Sequence, residues 1–350
     1  MHATTIGVDL AKRVFEVAVA DRHWHVVARH RFTRPQFDRF LRTQSPAHIV
    51  MEACGTAHFW GRFARAHRHQ VSLLPAHYVR PYVRRNKTDR TDAEALLDAA
   101  RSGRIHPVTV KTVLQQELLA LHRIREQWMR TRTARINALR GFLQEHGVTI
   151  VRGARTALAA VPALLEDADA PLPARLRHVL ALLHDEVRAT EQRITALERE
   201  LASIAAADPV IQRLMRIPGV GLLTATALVA TVGHIHRFPR ARRFASWLGL
   251  TPSERSSGTR RRLGAISKQG DVYLRCLLTH GARAVLLAAH RQAKAGRPLT
   301  RLQQWALTVR QRRGHNKTAV AATNKLARII WAVWSRDVEF RPAPALPEAA

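Results

Sequence analysis

A single stripe constrains this chain more than any other feature. Leu176, Leu180, Leu183, Val187, Thr190, Ile194, Leu197, Leu201 and Ile204 recur in strict four-three alternation, the repeat that holds side chains on one side of an α-helix. A helix with one long apolar face needs a cover: either another helix of the same chain, as in a helical hairpin, or a second copy, as in a coiled coil. The spacing fits both, since a seam does not name its partner. We expect a second copy, because the chemistry read below calls for two active sites.

On either side of the stripe the pattern changes. From Thr4 to Pro75, Ile6–Leu10, Val14–Ala20, Trp24–Phe32, Ile49–Met51 and Val71–Leu74 read as strands, with helices at Arg34–Leu41 and His58–His69 between them. This is an α/β domain. Three hairpin-connected strands followed by alternating strand and helix fit a ribonuclease-H-like sheet, whereas a dinucleotide-binding sheet would need a glycine fingerprint that is missing. Helical spacing returns at Val108–His146, Ala154–Pro173 reads as a linker or short helix, and from Asp208 onward the chain is mainly helical. Its helices fall at Ile211–Val232, Val272–Ala289, Leu299–Arg312 and Lys317–Trp334. The expected domains are therefore 1–107, a helical and coiled-coil middle at 108–207, a mainly α C-terminal domain at 208–341, and a tail at 342–350.

Charge narrows the function. The 350 residues carry 57 Lys and Arg against 26 Asp and Glu, a net charge of +31, while 46% of the chain is hydrophobic. That is a folded polycation, and its partner should be a polyanion, nucleic acid before membrane. GC-rich coding explains why arginine outnumbers lysine, but it does not remove acids. Cys54 and Cys276 stand far apart with no metal-ligand spacing. No signal peptide or membrane-length apolar run is evident, so a cytoplasmic protein is expected.

Against this basic background the acids are informative. Asp9 and Glu52 each end an apolar strand and can converge at one sheet edge, while Asp89 and Asp92, three apart at a helix start, can project together from one helix face. Taken singly, each suits a plainer role: Asp92 charging a helix start, Glu52 capping a helix after Gly55, Asp9 opening a turn. Together, four carboxylates in one cleft call for cations, and hard Mg²⁺ with water is the natural choice; two such ions clamp the attacking and leaving oxygens of a phosphoryl displacement. Lys12, Arg84, Arg85, Lys87 and Arg90 surround them as a phosphate-binding belt.

Two further motifs lie in the C-terminal region. Ile217-Pro218-Gly219-Val220-Gly221 before an apolar helix matches a helix-hairpin-helix, with Gly219 and Gly221 letting the backbone approach a phosphate; a tight interhelical turn is the plain alternative. Ser253 to Arg262 forms a serine- and arginine-rich loop followed by Ser267-Lys268-Gln269-Gly270. There Arg260, Arg261, Arg262 and Lys268 could meet phosphate, and a serine could act as nucleophile if a metal activates it.

In this order the motifs resemble those of the DEDD transposases of the insertion-sequence 110/1111 group, the bridge-RNA-guided recombinases. The resemblance rests on Ile6-Gly7-Val8-Asp9-Leu10-Ala11-Lys12, Met51 to Thr56, Asn86 to Ala93, Ile217 to Gly221, Phe244 to Pro252, Ser257-Gly258 and Ser267 to Gly270, and it spans nearly the whole chain. It implies a RuvC-like nuclease domain with Asp9, Glu52, Asp89 and Asp92 as ligands of two Mg²⁺ ions, and Ser257 as the nucleophile. Neighbouring Ser256 leaves that register open by one residue. It also implies donor and target DNA, a noncoding guide RNA from the same element, and a dimer or tetramer in which one protomer's acids meet another's serine. Two other readings use the same residues: a Holliday-junction resolvase with water as nucleophile, and a non-catalytic nucleic-acid binder.

Overall fold

In a computed structural model of the chain, residues 4–83, 89–151 and 153–344 are described. They form two compact units, divided between Gln116 and Glu117. The first contains β1 (Thr5–Leu10), β2 (Val14–Ala20), β3 (Val26–Thr33), α1 (Arg34–Thr43), β4 (His48–Glu52), α2 (Ala57–Ala66), β5 (Gln70–Leu74), α3 (Ala76–Val79) and α4 (Asp89–Arg101). The strands lie in the order β3-β2-β1-β4-β5. The first three pair antiparallel, and β1, β4 and β5 run parallel.

Alternation along these strands sorts the two faces of the sheet. Ile6, Val8, Phe15, Val17, Ile49 and Met51 pack against Phe37, Leu41, Trp60 and Ala64 of α1 and α2. The opposite face is covered by α4: Val50 and Leu74 meet Ala95, Leu96 and Ala99, while Ala18 and Ala20 meet Ala93 and Leu97. With both faces buried, β1, β2 and β4 read as nearly unbroken apolar runs. The third strand starts at Val26 and not at the expected Trp24, because Trp24 takes a positive φ of 67° in the β2–β3 turn.

The second unit is built mainly of helices: α5 (Val113–Glu145), α6 (Ala154–Glu166), α7 (Ala174–Ala207), α8 (Pro209–Met215), α9 (Leu222–Val232) and α10 (Ala241–Trp247). A two-stranded ribbon of β6 (Pro252–Glu254) and β7 (Leu263–Ile266) follows, then α11 (Val272–Lys294) and α12 (Arg301–Ser335), which breaks at Gly314.

The stripe on α7 is covered within the chain, which corrects the expectation of a second copy at this seam. Leu180 and Val187 are fully buried in a cluster with Ile136, Leu139 and Leu143 of α5 and with Ala157, Leu158 and Val161 of α6. Further along, Leu201 packs with Leu118 of α5 and Ala230 of α9. Arg125–Glu198, Arg132–Glu191 and Arg135–Glu186 ion pairs run in opposite order along α5 and α7, so the two helices are antiparallel. The region expected as a linker or short helix supplies α6, which closes the tip of this helical hairpin.

By length and mean hydropathy, 1.2 over its most apolar 18 residues, α11 could cross a membrane. Its buried Leu274, Leu278, Ala282, Val285, Leu286 and Ala289 are instead part of the core of this unit.

One polar link runs through that core. His122 of α5 is 2% exposed, with Nε2 3.0 Å from Thr226 Oγ1 and Nδ1 3.0 Å from the Tyr273 hydroxyl. Because Thr226 donates its own proton to the Leu222 carbonyl, Nε2–H donates to Thr226 and Nδ1 accepts from Tyr273. Burial, and secondarily the charge of Arg125, push the His122 pKa from 6.5 down to about 4. The unfolded chain therefore takes up a proton at higher pH than the folded one. Stability from this group is fully present above pH 6.5 and is lost as pH falls toward 4. His58, lowered to about 4 by burial and by Lys111 and Arg62, adds the same sign. Thermal melts should drop in midpoint across this window, and His122→Gln, though less stable overall, should show a shallower drop.

Candidate active site and serine hairpin

The register of β1 and β4 decides where the first two acids fall. Val8 stands opposite Met51 in a parallel pair, so the next residues, Asp9 and Glu52, are side by side at the carboxyl ends of adjacent strands. By alternation Asp9 shares a face with Gly7, and Glu52 shares one with Val50, which packs under α4. That helix lies directly on β1: a side chain at Gly7 would run into the carbonyl oxygen of Ala93. Asp92 immediately precedes Ala93. Thus Asp9 and Glu52, both half-buried, come to one face and one edge of the sheet, and the helix that covers that face carries the half-buried Asp92 one residue before Ala93. Asp89 is the first residue of α4. Its side chain and that of Arg90 lie outside the description, as do residues Arg84, Arg85 and Lys87. Lys12 is exposed in the β1–β2 turn, three residues beyond Asp9.

Glu16 was missed by sequence reasoning. It stands opposite Asp9 in the β1–β2 register and pairs with Arg31 at 3.3 Å. The signal was there, a charged residue inside the apolar run Val14 to Ala20, but only strand pairing shows which acid it faces. Among the described residues no three carboxylate, histidine or cysteine side chains form a ready-made metal cage. The donors gathered at this edge are nonetheless all carboxylates, a set that fits a hard divalent ion whose remaining ligands are water and phosphate oxygens.

In the second unit the serine loop is an ordered hairpin. Its base is closed by Ser267 N–H donating to the Thr251 carbonyl (2.9 Å) and Lys268 N–H to the Gly249 carbonyl (3.1 Å). Arg275 Nη1 donates to the Leu248 carbonyl and Asn324 Nδ2 to the Leu250 carbonyl, each at 3.0 Å, tying that base to α11 and α12. At the far end Ser257 and Arg260 exchange backbone hydrogen bonds of 3.3 and 3.1 Å around Gly258.

The two adjacent serines have different environments. Ser256 Oγ donates to Glu254 Oε1 at 2.7 Å and accepts from the Arg262 N–H at 3.1 Å, so it ties the hairpin together. That hydroxyl, and then Arg261, hold the Glu254 carboxyl below its ordinary pKa. Ser257 is exposed at the tip, and among the described residues its only hydrogen bonds are the backbone pair with Arg260. Arg260, Arg261, Arg262 and Lys268 are exposed along the same hairpin, with Arg261 3.3 Å from Glu254.

The glycine turn joins α8 to α9. Gly219 has φ 84°, and a Cβ there would stand 2.7 Å from the carbonyl oxygen of Gly281 on α11, so close helix packing already requires this glycine. Gly221, which precedes α9, is exposed with open space where a side chain would be.

Comparison with known proteins covers both regions. A family model described as "Transposase" of the DEDD IS110 type matches residues 6–148, and one described as "Transposase IS116/IS110/IS902 family" matches residues 211–297. The chain is also 42% identical over 343 residues to a "Probable family 20 transposase" of Pseudomonas aeruginosa, covering 98% of this chain and 100% of that protein. It belongs to the IS110 family of insertion-sequence transposases. A "Transposase for insertion sequence element IS1111A" of Coxiella burnetii is 39% identical over 336 residues, 96% of this transposase and 91% of that one. More distantly, a "Pilin gene-inverting protein" of Moraxella bovis is 24% identical over 362 aligned positions, covering 97% and 98% of the two chains. The first family match contains the sheet with Asp9, Glu52 and Asp92; the second contains the glycine turn and the whole serine hairpin.

Proposed function

We propose that this transposase cuts and rejoins DNA through Ser257, using carboxylate-held divalent ions, and that its first unit is a ribonuclease-H-like, RuvC-like nuclease fold. The observation that carries the proposal is the adjacency of Asp9 and Glu52 at the carboxyl ends of β1 and β4 in a β3-β2-β1-β4-β5 sheet, on the face covered by α4, the helix that bears Asp92. Asp9, Glu52, Asp89 and Asp92 are the residues to hold the metal, two Mg²⁺ ions. When bound, these supply Lewis acidity to the phosphate and its leaving oxygen.

The protein's own residues do the rest. Ser257 Oγ, uncommitted at the hairpin tip, loses its proton and attacks phosphorus. The new Oγ–P bond replaces the P–O bond to the leaving strand, whose oxygen departs as a hydroxyl after taking up a proton. Arg260, Arg261, Arg262 and Lys268 offset the charge that gathers on the phosphoryl oxygens. The ester keeps the phosphodiester energy, so a second strand's hydroxyl can reverse the step and rejoin DNA without ATP. A relative named for gene inversion supports this reading, because inversion requires every cut to be resealed.

The acids lie in one unit and Ser257 in the other, which suits a dimer or tetramer that pairs one protomer's acids with another's serine. Gly221, before α9, suits the phosphate contact of a helix-hairpin-helix. A noncoding RNA of the same element would choose donor and target by base pairing, leaving the cationic protein to grip backbone and shape. On this reading residues 1–107 are the nuclease region, 108–207 a helical connector, 208–341 the serine-bearing region and 342–350 a tail.

The test is covalent trapping. The transposase, labelled DNA carrying the element's ends, RNA transcribed from its flanks and Mg²⁺ should yield a protease-sensitive shifted band on a denaturing gel. Cleaved DNA with no such band would favour the water-using nuclease.

A further inference from the structure

The start of α12 carries a cationic pocket that the serine chemistry does not use. The chain beyond α12 returns across this helix: Arg301 N–H donates to the Ala343 carbonyl at 3.0 Å, and Thr300 bridges to Pro344. Between this returning strap and α12 lies a cavity of about 320 Å³, lined by Arg301, Lys325 and Arg341 together with apolar Ile329, Phe340 and Pro342. Among the described residues none that lines it is acidic.

The lysine is held in place. Lys325 Nζ sits 4.0 Å from the centre of the Trp305 ring, a cation–π contact that fixes the ammonium at the pocket wall. Burial, followed by the neighbouring charges of Arg301 and Arg328, lowers its pKa. The strap does contain acids, but they face elsewhere: Asp337 pairs with Arg213 of α8, and Glu339 pairs with Arg216 at 2.9 Å. Among the described residues Arg301, Lys325, Arg328 and Arg341 have no carboxylate partner. Cations crowded together without a counter-charge, one of them partly buried, form an arrangement that an anion stabilises.

We infer that this pocket binds a backbone phosphate of the DNA, with Arg301 and Lys325 as its ligands, Arg341 at its mouth, and Phe340 and Pro342 against the adjoining sugar. Pro218 lines both this cavity and the groove beside Gly219 and Gly221, so the pocket continues the phosphate path of the glycine turn. The inference rests on the chain's action on DNA and not on Ser257. Failure of the serine mechanism leaves it standing.

The test is DNA binding by the full chain, followed by fluorescence anisotropy over a range of salt. Lys325→Met keeps the stem on Trp305 and removes the charge; Arg301→Gln and Arg341→Gln are surface changes that leave the core intact. Arg193→Gln, exposed on α7, is the charge-matched control. Each pocket variant should weaken binding several-fold more than the control and lower the slope of log K against log salt by about 1. Lys325→Arg should retain wild-type affinity. Slopes equal to that of Arg193→Gln for both arginine variants would overturn the site, whatever the stability of Lys325→Met. A loss seen only with RNA of the same sequence would overturn its assignment to DNA.

Discussion

Asp9→Asn should abolish strand cleavage by this transposase and leave the first unit folded. The substitution keeps shape and removes one charge at the point where β1 and β4 end together. If Asp9, Glu52, Asp89 and Asp92 hold shared ions, removing one ligand misplaces all of them, and the loss should be roughly 10³-fold or more, the scale for members of a catalytic unit. For the same reason the double variant Asp9→Asn, Glu52→Gln should be no worse than either single. DNA affinity should hold or rise, because a negative charge beside phosphates is gone. Cleavage of labelled DNA in Mg²⁺, read beside binding and a thermal melt, measures all three. Substantial residual cleavage with normal binding would remove Asp9 from the site.

The second large effect separates two neighbouring hydroxyls. Ser257→Ala should lose both cleavage and the covalent adduct while binding DNA normally, since among the described residues its hydroxyl makes no hydrogen bond that shapes the hairpin. Ser256→Ala should keep the adduct and lose rate, because it cuts the link between Glu254 and the Arg262 N–H, two hydrogen bonds that solvent weakens on an exposed ribbon. If Ser256→Ala eliminates the adduct and Ser257→Ala does not, the nucleophile lies one residue earlier than proposed.

How far the sequence alone led depended on whether a feature was local. Strands ending in Asp9 and Glu52 could be read because each apolar run is short, alternating and closed by its acid, and parallel pairing then brings the two ends together. The cover of the α7 stripe could not be read, since a four-three repeat is the same whether α5 or another molecule fills it. The buried clusters that join α7 to α5, α6 and α9, with the opposed ion pairs along α5 and α7, tell the two apart. The different surroundings of Ser256 and Ser257 were equally closed, because they depend on which hydroxyl reaches Glu254 and the Arg262 N–H. Lys325 and Arg301 lie 24 positions apart and share a pocket only because the strap beyond α12 folds back.

The serine hairpin also behaves as a cantilever. From the clamp at Thr251 and Ser267 to Ser257 is six residues of extended chain, roughly 20 Å at strand rise. A tilt of about 10° at the clamp would swing the tip by about 3 Å, whereas misplacement of reacting atoms by about 1 Å already costs on the order of 10²-fold in rate. If Ser257 is the nucleophile, angular precision must therefore be built where the arm is rooted, in the Arg275 and Asn324 hydrogen bonds to the Leu248 and Leu250 carbonyls. A DNA phosphate gripped by Arg260 to Arg262 would brace the free end as well, so the arm is steadiest with its substrate in hand.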